Sequence, residues 1–186
     1  MEKIVCPEMI VHYYEASQGP FHSLSDLSLT DAEVILQQIR QEGIVFASNR
    51  NTDYLRIRKS LEERIYELFV QKGGQPKRLR PHYFILGCCD WVKSWYRHGR
   101  ELQILLETVD PKVISFTYGD SFPAMRYKDG KPYRGQVYVL DELTELITHY
   151  GLPQVWNRDG RYGPERYIEA QVWDDQPVRE YLGKQG

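Results

Sequence analysis

The sequence is poor in cysteine and has no long apolar run. Only Cys6, Cys88 and Cys89 occur in 186 residues. An odd number with two adjacent makes no disulfide framework, so the expected setting is a reducing, cytoplasmic one. Neither a CxxC nor an HxxxH spacing is present, and no metal site is expected. No stretch approaches the ~20 apolar residues of a membrane span. The first residues lack the apolar segment of a signal peptide, and no membrane partner is expected. Neither sign of charge dominates: Lys+Arg 24 stands against Asp+Glu 26, a net charge of -2. That balance argues against a dedicated nucleic-acid binder and leaves nucleic acid open only through a local basic patch. The phosphate-cradling signatures G-x-G-x-x-G and G-x-x-x-x-G-K-[ST] are missing, as are the kinase motif set and H-E-x-x-H.

What the sequence has in quantity is aromatic rings: Tyr 14, Trp 4 and Phe 6 within a hydrophobic fraction of 41%. A chain of this length buries roughly 70% of its unfolded surface, enough for a genuine core. No repeat, low-complexity tract or internal linker divides it, so residues 1–186 are read as one domain.

Met9 to Tyr14 is apolar and aromatic and predicts a strand. Thr30 and Glu33 form a capping-box pattern, followed by Ala32, Ile35, Leu36 and Ile39 at helical spacing, with Gly43 placed to end the helix. Ile44 to Ala47 predicts a short strand. A second helix is expected over Thr52 to Gln71, with Leu61, Ile65, Leu68 and Phe69 as its buried stripe. Strands are expected at His82–Leu86, Glu101–Leu106, Val113–Tyr118, Gln136–Leu140 and Tyr167–Trp173. A helical turn follows Asp90, and a third helix with Asp141 as cap carries Leu143, Leu146 and Ile147. Helices come early and strands late, without regular alternation. The pattern predicts an α+β fold with a mixed or mainly antiparallel sheet and about three helices.

Three segments carry chemistry. Ser115 to Phe122 ends a strand in Gly119-Asp120-Ser121, which resembles the nucleophile block of GDSL-type esterases. The D-x-x-H base of that family is missing, since Leu146 stands three residues before His149. Without a base Ser121 is an ordinary alcohol, and a backbone-bonding turn is the plainer reading. The loop from Lys72 to Pro81 gathers Lys72, Lys77, Arg78 and Arg80. Arg78 and Arg80 are candidate diphosphate or RNA-backbone ligands, against a solvated connection as the alternative. In Tyr167 to Trp173, strict alternation puts Glu169, Gln171 and Trp173 on one face. A carboxylate and an amide there either line a polar cleft or face solvent.

The order of these parts resembles ADP-ribosyltransferase-like domains of the His-Tyr-Glu type. His12 would lie on the first strand. Tyr54 or Tyr83 would be the ring that stacks nicotinamide, and Glu169 the late-strand carboxylate that acts on the ribose. The resemblance implies NAD as a substrate, no resident cofactor, Glu169 as the catalytic residue, and His12, Tyr54 and Tyr83 as nucleotide contacts. Two other readings stay open: a non-catalytic interaction domain with an aromatic groove and a basic rim loop, and a Ser121 hydrolase.

Overall fold

The computed structural model describes residues 5–43, 51 and 53–183. Five strands form one sheet: β1 (Met9–Glu15), β2 (His82–Leu86), β3 (Gly99–Leu105), β4 (Ile114–Tyr118) and β5 (Ile168–Val172). Their order is β3-β1-β2-β5-β4, and every neighbouring pair is antiparallel. The last strand is therefore inserted between β2 and β4, and all five of its residues are buried. An antiparallel sheet needs no helical crossover between neighbours, so strands and helices need not alternate along the chain.

There are three substantial helices, α1 (Leu29–Glu42), α2 (Tyr54–Gln71) and α5 (Leu143–Tyr150); α2 and α5 pack on the sheet, and α1 packs on α2. Shorter ones are α3 (Asp90–Lys93), α4 (Ser121–Arg126) and α6 (Pro153–Trp156). One sheet face presents Ile10, Phe84, Ala170, Val172 and Phe116 to Leu143, Leu146 and Ile147 of α5. The other face meets α2, where Ile65 and Phe69 enclose Trp173. Burying each such large side chain contributes about 1.5–3 kcal/mol. Gly74 lies just past the Lys72 cap of α2 and folds back on its last turn; a Cβ there would lie 2.6 Å from the Phe69 ring. Any larger residue would push Phe69 off Trp173.

β1 and β2 pair over only two residues, Ile10 with Leu86 and Val11 with Ile85, whereas β1 pairs with β3 along seven. Beyond Val11 the ladder opens. The His12 imidazole takes over there, bonding the Tyr83 carbonyl at 2.8 Å through Nδ1. The Phe21 amide donates to its Nε2 at 3.1 Å, which fixes the Nδ1–H tautomer of a neutral ring.

Several boundaries differ from expectation. Ser28, not Thr30, caps α1, because its Oγ accepts the Asp31 amide at 3.1 Å. Gly43 ends that helix at φ 65 as its position suggested. Only Ala32 and Leu36 of the expected α1 stripe are buried, and Ile35 is exposed. Gln136–Leu140 is not a strand; a single bridge joins Tyr138 to Phe116. The expected strand at Ile44 to Ala47 lies outside the described residues. No described helix is long and apolar enough to cross a membrane.

Candidate functional cleft

The opening between β1 and β2 leads into a cavity of about 1260 Å³. Glu169, Asp120, Ser121, Tyr54, Tyr83 and His12 all line it. By alternation His12 and Glu169 belong to opposite sheet faces, and the split ladder is what brings them to one cavity. Tyr13, Trp95 and Tyr96 line it from one sheet face and Tyr14 from the other, and Leu24, Leu27, Ile35 and Ile39 line it as well. The exposed Ile35 of α1 is thus explained: it faces the cavity instead of the core.

Glu169 is only 7% exposed, which disposes of the solvent-facing alternative. Burial, reinforced by the negative charge of Asp120, pushes its carboxyl up to about 8. Hydrogen bonds from Gln171 and Ser121 and the nearby Arg58 charge oppose the rise without cancelling it. Asp120 itself is fully engaged. Its Oδ1 caps α4 through the Phe122 amide at 2.8 Å, and its Oδ2 accepts from the Tyr167 hydroxyl at 2.9 Å. Glu169 is therefore biased towards its protonated form.

Behind Glu169 runs a buried polar chain. Trp173 Nε1 donates to Ser115 Oγ at 2.8 Å, and Ser115 donates to Gln171 Oε1 at 2.9 Å. Gln171 Nε2 donates at 3.1 Å both to Glu169 Oε1 and to Thr117 Oγ1, and Thr117 donates to the Gly119 carbonyl at 3.0 Å. Every donor in the chain is used, so the polar groups cost little despite full burial. The chain also holds the Glu169 carboxyl in one orientation.

Arg58 supports the opposite wall. Its Nη1 donates to Tyr54 Oη at 2.6 Å, and its guanidinium lies 4.4 Å from the Tyr83 ring centre. Nε bonds Ser25 Oγ at 2.7 Å and Glu62 Oε1 at 3.1 Å, and Tyr83 and Ser25 both donate to the same Glu62 oxygen. Burial works against the Arg58 charge, but Tyr54, Tyr83 and Glu62 outweigh it and hold its pKa well above the ordinary range. Tyr54 in turn stacks on Phe122 with ring centres 4.9 Å apart and planes 2° from parallel. Both candidate tyrosines are therefore present, one flat ring on α2 and one on β2.

The structure does not bring Arg78 and Arg80 to this cavity. Arg78 is bonded to Asp26, Asp175 and His82, and Arg80 to Glu63 and the Lys59 carbonyl. Lys72 and Lys77 are likewise paired, with Glu142 and Asp174. The basic loop is a set of clasps between distant segments, because each of its cations meets an acid of another element. Ser121 does reach the cavity and is 5% exposed. The group at its hydroxyl is Glu169 and not a histidine.

His12 is a satisfied, neutral residue: burial pushes its pKa down to about 4, with His82 adding to the effect and the Tyr83 bond opposing it. Asp120 and Arg58 line the cleft and Glu62 holds Arg58 and Tyr83 from behind it; sequence reasoning places Asp120 only in a strand-ending turn and does not single out Glu62. Glu62 left a signal, since it falls midway between Leu55 and Phe69 at seven-residue spacing on the buried stripe of α2. Among the described residues no cluster of His, Cys, Asp or Glu is arranged to hold a metal ion. Comparison with protein-family models, with curated proteins and with solved structures finds no match to this chain.

Proposed function

We propose that the cleft binds a nucleotide of the NAD type and that Glu169 acts on its ribose at the anomeric carbon. The observation that carries this reading is the convergence of Glu169, His12, Tyr54 and Tyr83 on one cavity, from four separate elements. Flat aromatic walls suit a nicotinamide or adenine ring. The protonated state of Glu169 fits as well. A cationic pyridinium beside it lowers its pKa, so binding expels the proton and leaves a carboxylate facing the sugar. When the nicotinamide–ribose bond breaks, the electron pair leaves with the ring and positive charge builds on the ribose. A fixed carboxylate in a shielded site opposes that charge. An acceptor nucleophile or water then completes the transfer.

The test is NAD turnover, followed as nicotinamide release, in the wild-type chain and in Glu169→Gln. Glu169→Gln should fold, bind NAD and lose turnover. Turnover at the wild-type rate in this variant overturns the catalytic assignment. Failure of NAD either to be consumed by the wild type or to raise its Tm overturns the nucleotide reading.

A further inference from the structure

With the loop cations paired, the uncommitted positive charge of the cleft region lies elsewhere. A second hollow of about 750 Å³ opens beside the cleft where α3 leads into β3. Lys93, Arg97, His98 and Arg100 line it, and Arg97 and His98 also line the main cavity. Lys93 is bonded to Glu101 at 3.0 Å. The side chains of Arg97, His98 and Arg100 make no hydrogen bond or ion pair among the described residues, and all three are exposed. The acids nearby are already occupied. Glu15 accepts the backbone amides of Arg97 and His98, and Glu101 accepts Lys93 and Gln103.

The main cavity needs such a neighbour. Its lining includes Glu15, Glu42, Asp120 and Glu169, but among its described residues only Arg58 and Arg97 are lysine or arginine. Arg58 is already committed to Tyr54, Ser25 and Glu62. A diphosphate inside the cavity would be desolvated without adequate countercharge. The register places Glu15 four residues along β1 from the row that contains Glu169, and two strands away from it. Ordinary strand spacings make that about 16 Å from Glu169. That is within the reach of an extended dinucleotide, and the Arg97 side chain covers part of the span.

We infer that Arg97 and Arg100, with His98 between them, form a phosphate subsite that holds the phosphates of the nucleotide whose ribose lies at Glu169. This rests on the nucleotide reading of the cleft and adds the position of its charged part. Guanidinium groups suit it because they make paired hydrogen bonds to phosphate oxygens. Placing the phosphates at the rim also leaves them partly hydrated, which avoids burying their charge.

The experiment is calorimetric titration of the full chain with ADP-ribose and with adenosine, for the wild type and for Arg97→Ala/Arg100→Ala. Amide shifts at residues 97–100 are followed on adding inorganic pyrophosphate. ADP-ribose should bind the double variant about ten-fold more weakly while adenosine binds unchanged. Lys77→Ala, which removes an exposed paired lysine, should bind both as the wild type does. Equal ADP-ribose affinity in the double variant overturns the subsite. So does an oligothymidylate whose binding depends on Arg97 and Arg100 while that of ADP-ribose does not, since it assigns the patch to a nucleic-acid strand. If neither nucleoside ligand binds the wild type, the cleft reading fails by itself. Pyrophosphate shifts confined to residues 97–100 then still support an anion site, and their absence removes it.

Discussion

The His12 imidazole donates from Nδ1 to the Tyr83 carbonyl at 2.8 Å, and so occupies the gap where β1 and β2 part. A side chain there replaces a missing ladder bond, and the same ring accepts the Phe21 amide. His12→Ala leaves both backbone groups without a partner inside the protein. It should cost about 2–6 kcal/mol in urea unfolding, at the commonly observed ~1–3 kcal/mol per unpaired group. The wild type should also lose stability as pH falls from the free-histidine pKa of 6.5 towards about 4, because the unfolded chain binds this proton first. In His12→Ala that part of the slope should vanish. An unchanged acid limb would show that His12 is not held neutral.

Glu169 has the opposite sign. Its folded pKa of about 8 lies above the ordinary 4.5, so its contribution to stability is fully present below 4.5 and is lost as pH rises through 8. Glu169→Gln removes this dependence. The difference in unfolding free energy, variant minus wild type, should therefore grow between pH 5 and pH 9. Its size should be on the order of a few kcal/mol. A flat difference across that range would mean that Glu169 titrates as an exposed acid.

Phe21 holds φ 63, the only positive value at a described non-glycine residue, while its ring stacks on His12 with centres 4.3 Å apart. Phe21→Ala and Phe21→Gly both lose the ring. Only glycine relieves the left-handed backbone, a difference of about 1 kcal/mol. The glycine variant should thus be the more stable of the two in thermal melts. Equal Tm values would place the strain elsewhere.

Arg58→Ala strips the nearer of two charge partners from Glu62, whose side chain is 1% exposed. Breaking a buried pair from one side costs about 3–5 kcal/mol. It also removes the Arg58 bond to the Tyr54 hydroxyl, so ligand affinity should fall together with stability. A variant with wild-type stability would show that Arg80, 3.5 Å from Glu62 Oε2, suffices alone.

Ser121 separates the transferase reading from the esterase-like one. Its hydroxyl bonds Glu169 and favours the ionised form. Ser121→Ala should move the acid limb of the NAD pH–rate profile to higher pH and leave activity measurable above it. Complete loss at every pH, together with loss of ester hydrolysis, would mark Ser121 as a nucleophile.

The elements that sequence reasoning located well are those with local causes. α2 shows a long apolar stripe, α1 ends at a left-handed glycine, and β5 alternates along its length. The Glu169–Gln171 face was legible for the same reason, since two residues apart on a strand is a geometric certainty. The meaning of the basic loop was not legible. Whether Arg78 meets a phosphate or meets Asp26 and Asp175 depends on segments 52 and 97 residues away. The Gln136–Leu140 segment misled because its apolar residues pack beneath α2 and the sheet edge without forming a ladder. The split between β1 and β2 is a tertiary fact too, visible in the sequence only as a histidine in a strand.

The hydrogen-bond chain from Trp173 through Ser115 and Gln171 to Glu169 has a direction. Each hydroxyl and amide in it already donates to the next group, and an amide cannot pass a proton on. The sheet side of Glu169 is therefore insulating, and its proton can exchange only through the cleft. A ligand that fills the cavity closes that route. The proton that a cationic ring displaces must therefore leave as the ligand enters, so ligand binding, more than the later chemistry, should carry the proton release of the Glu169 carboxyl.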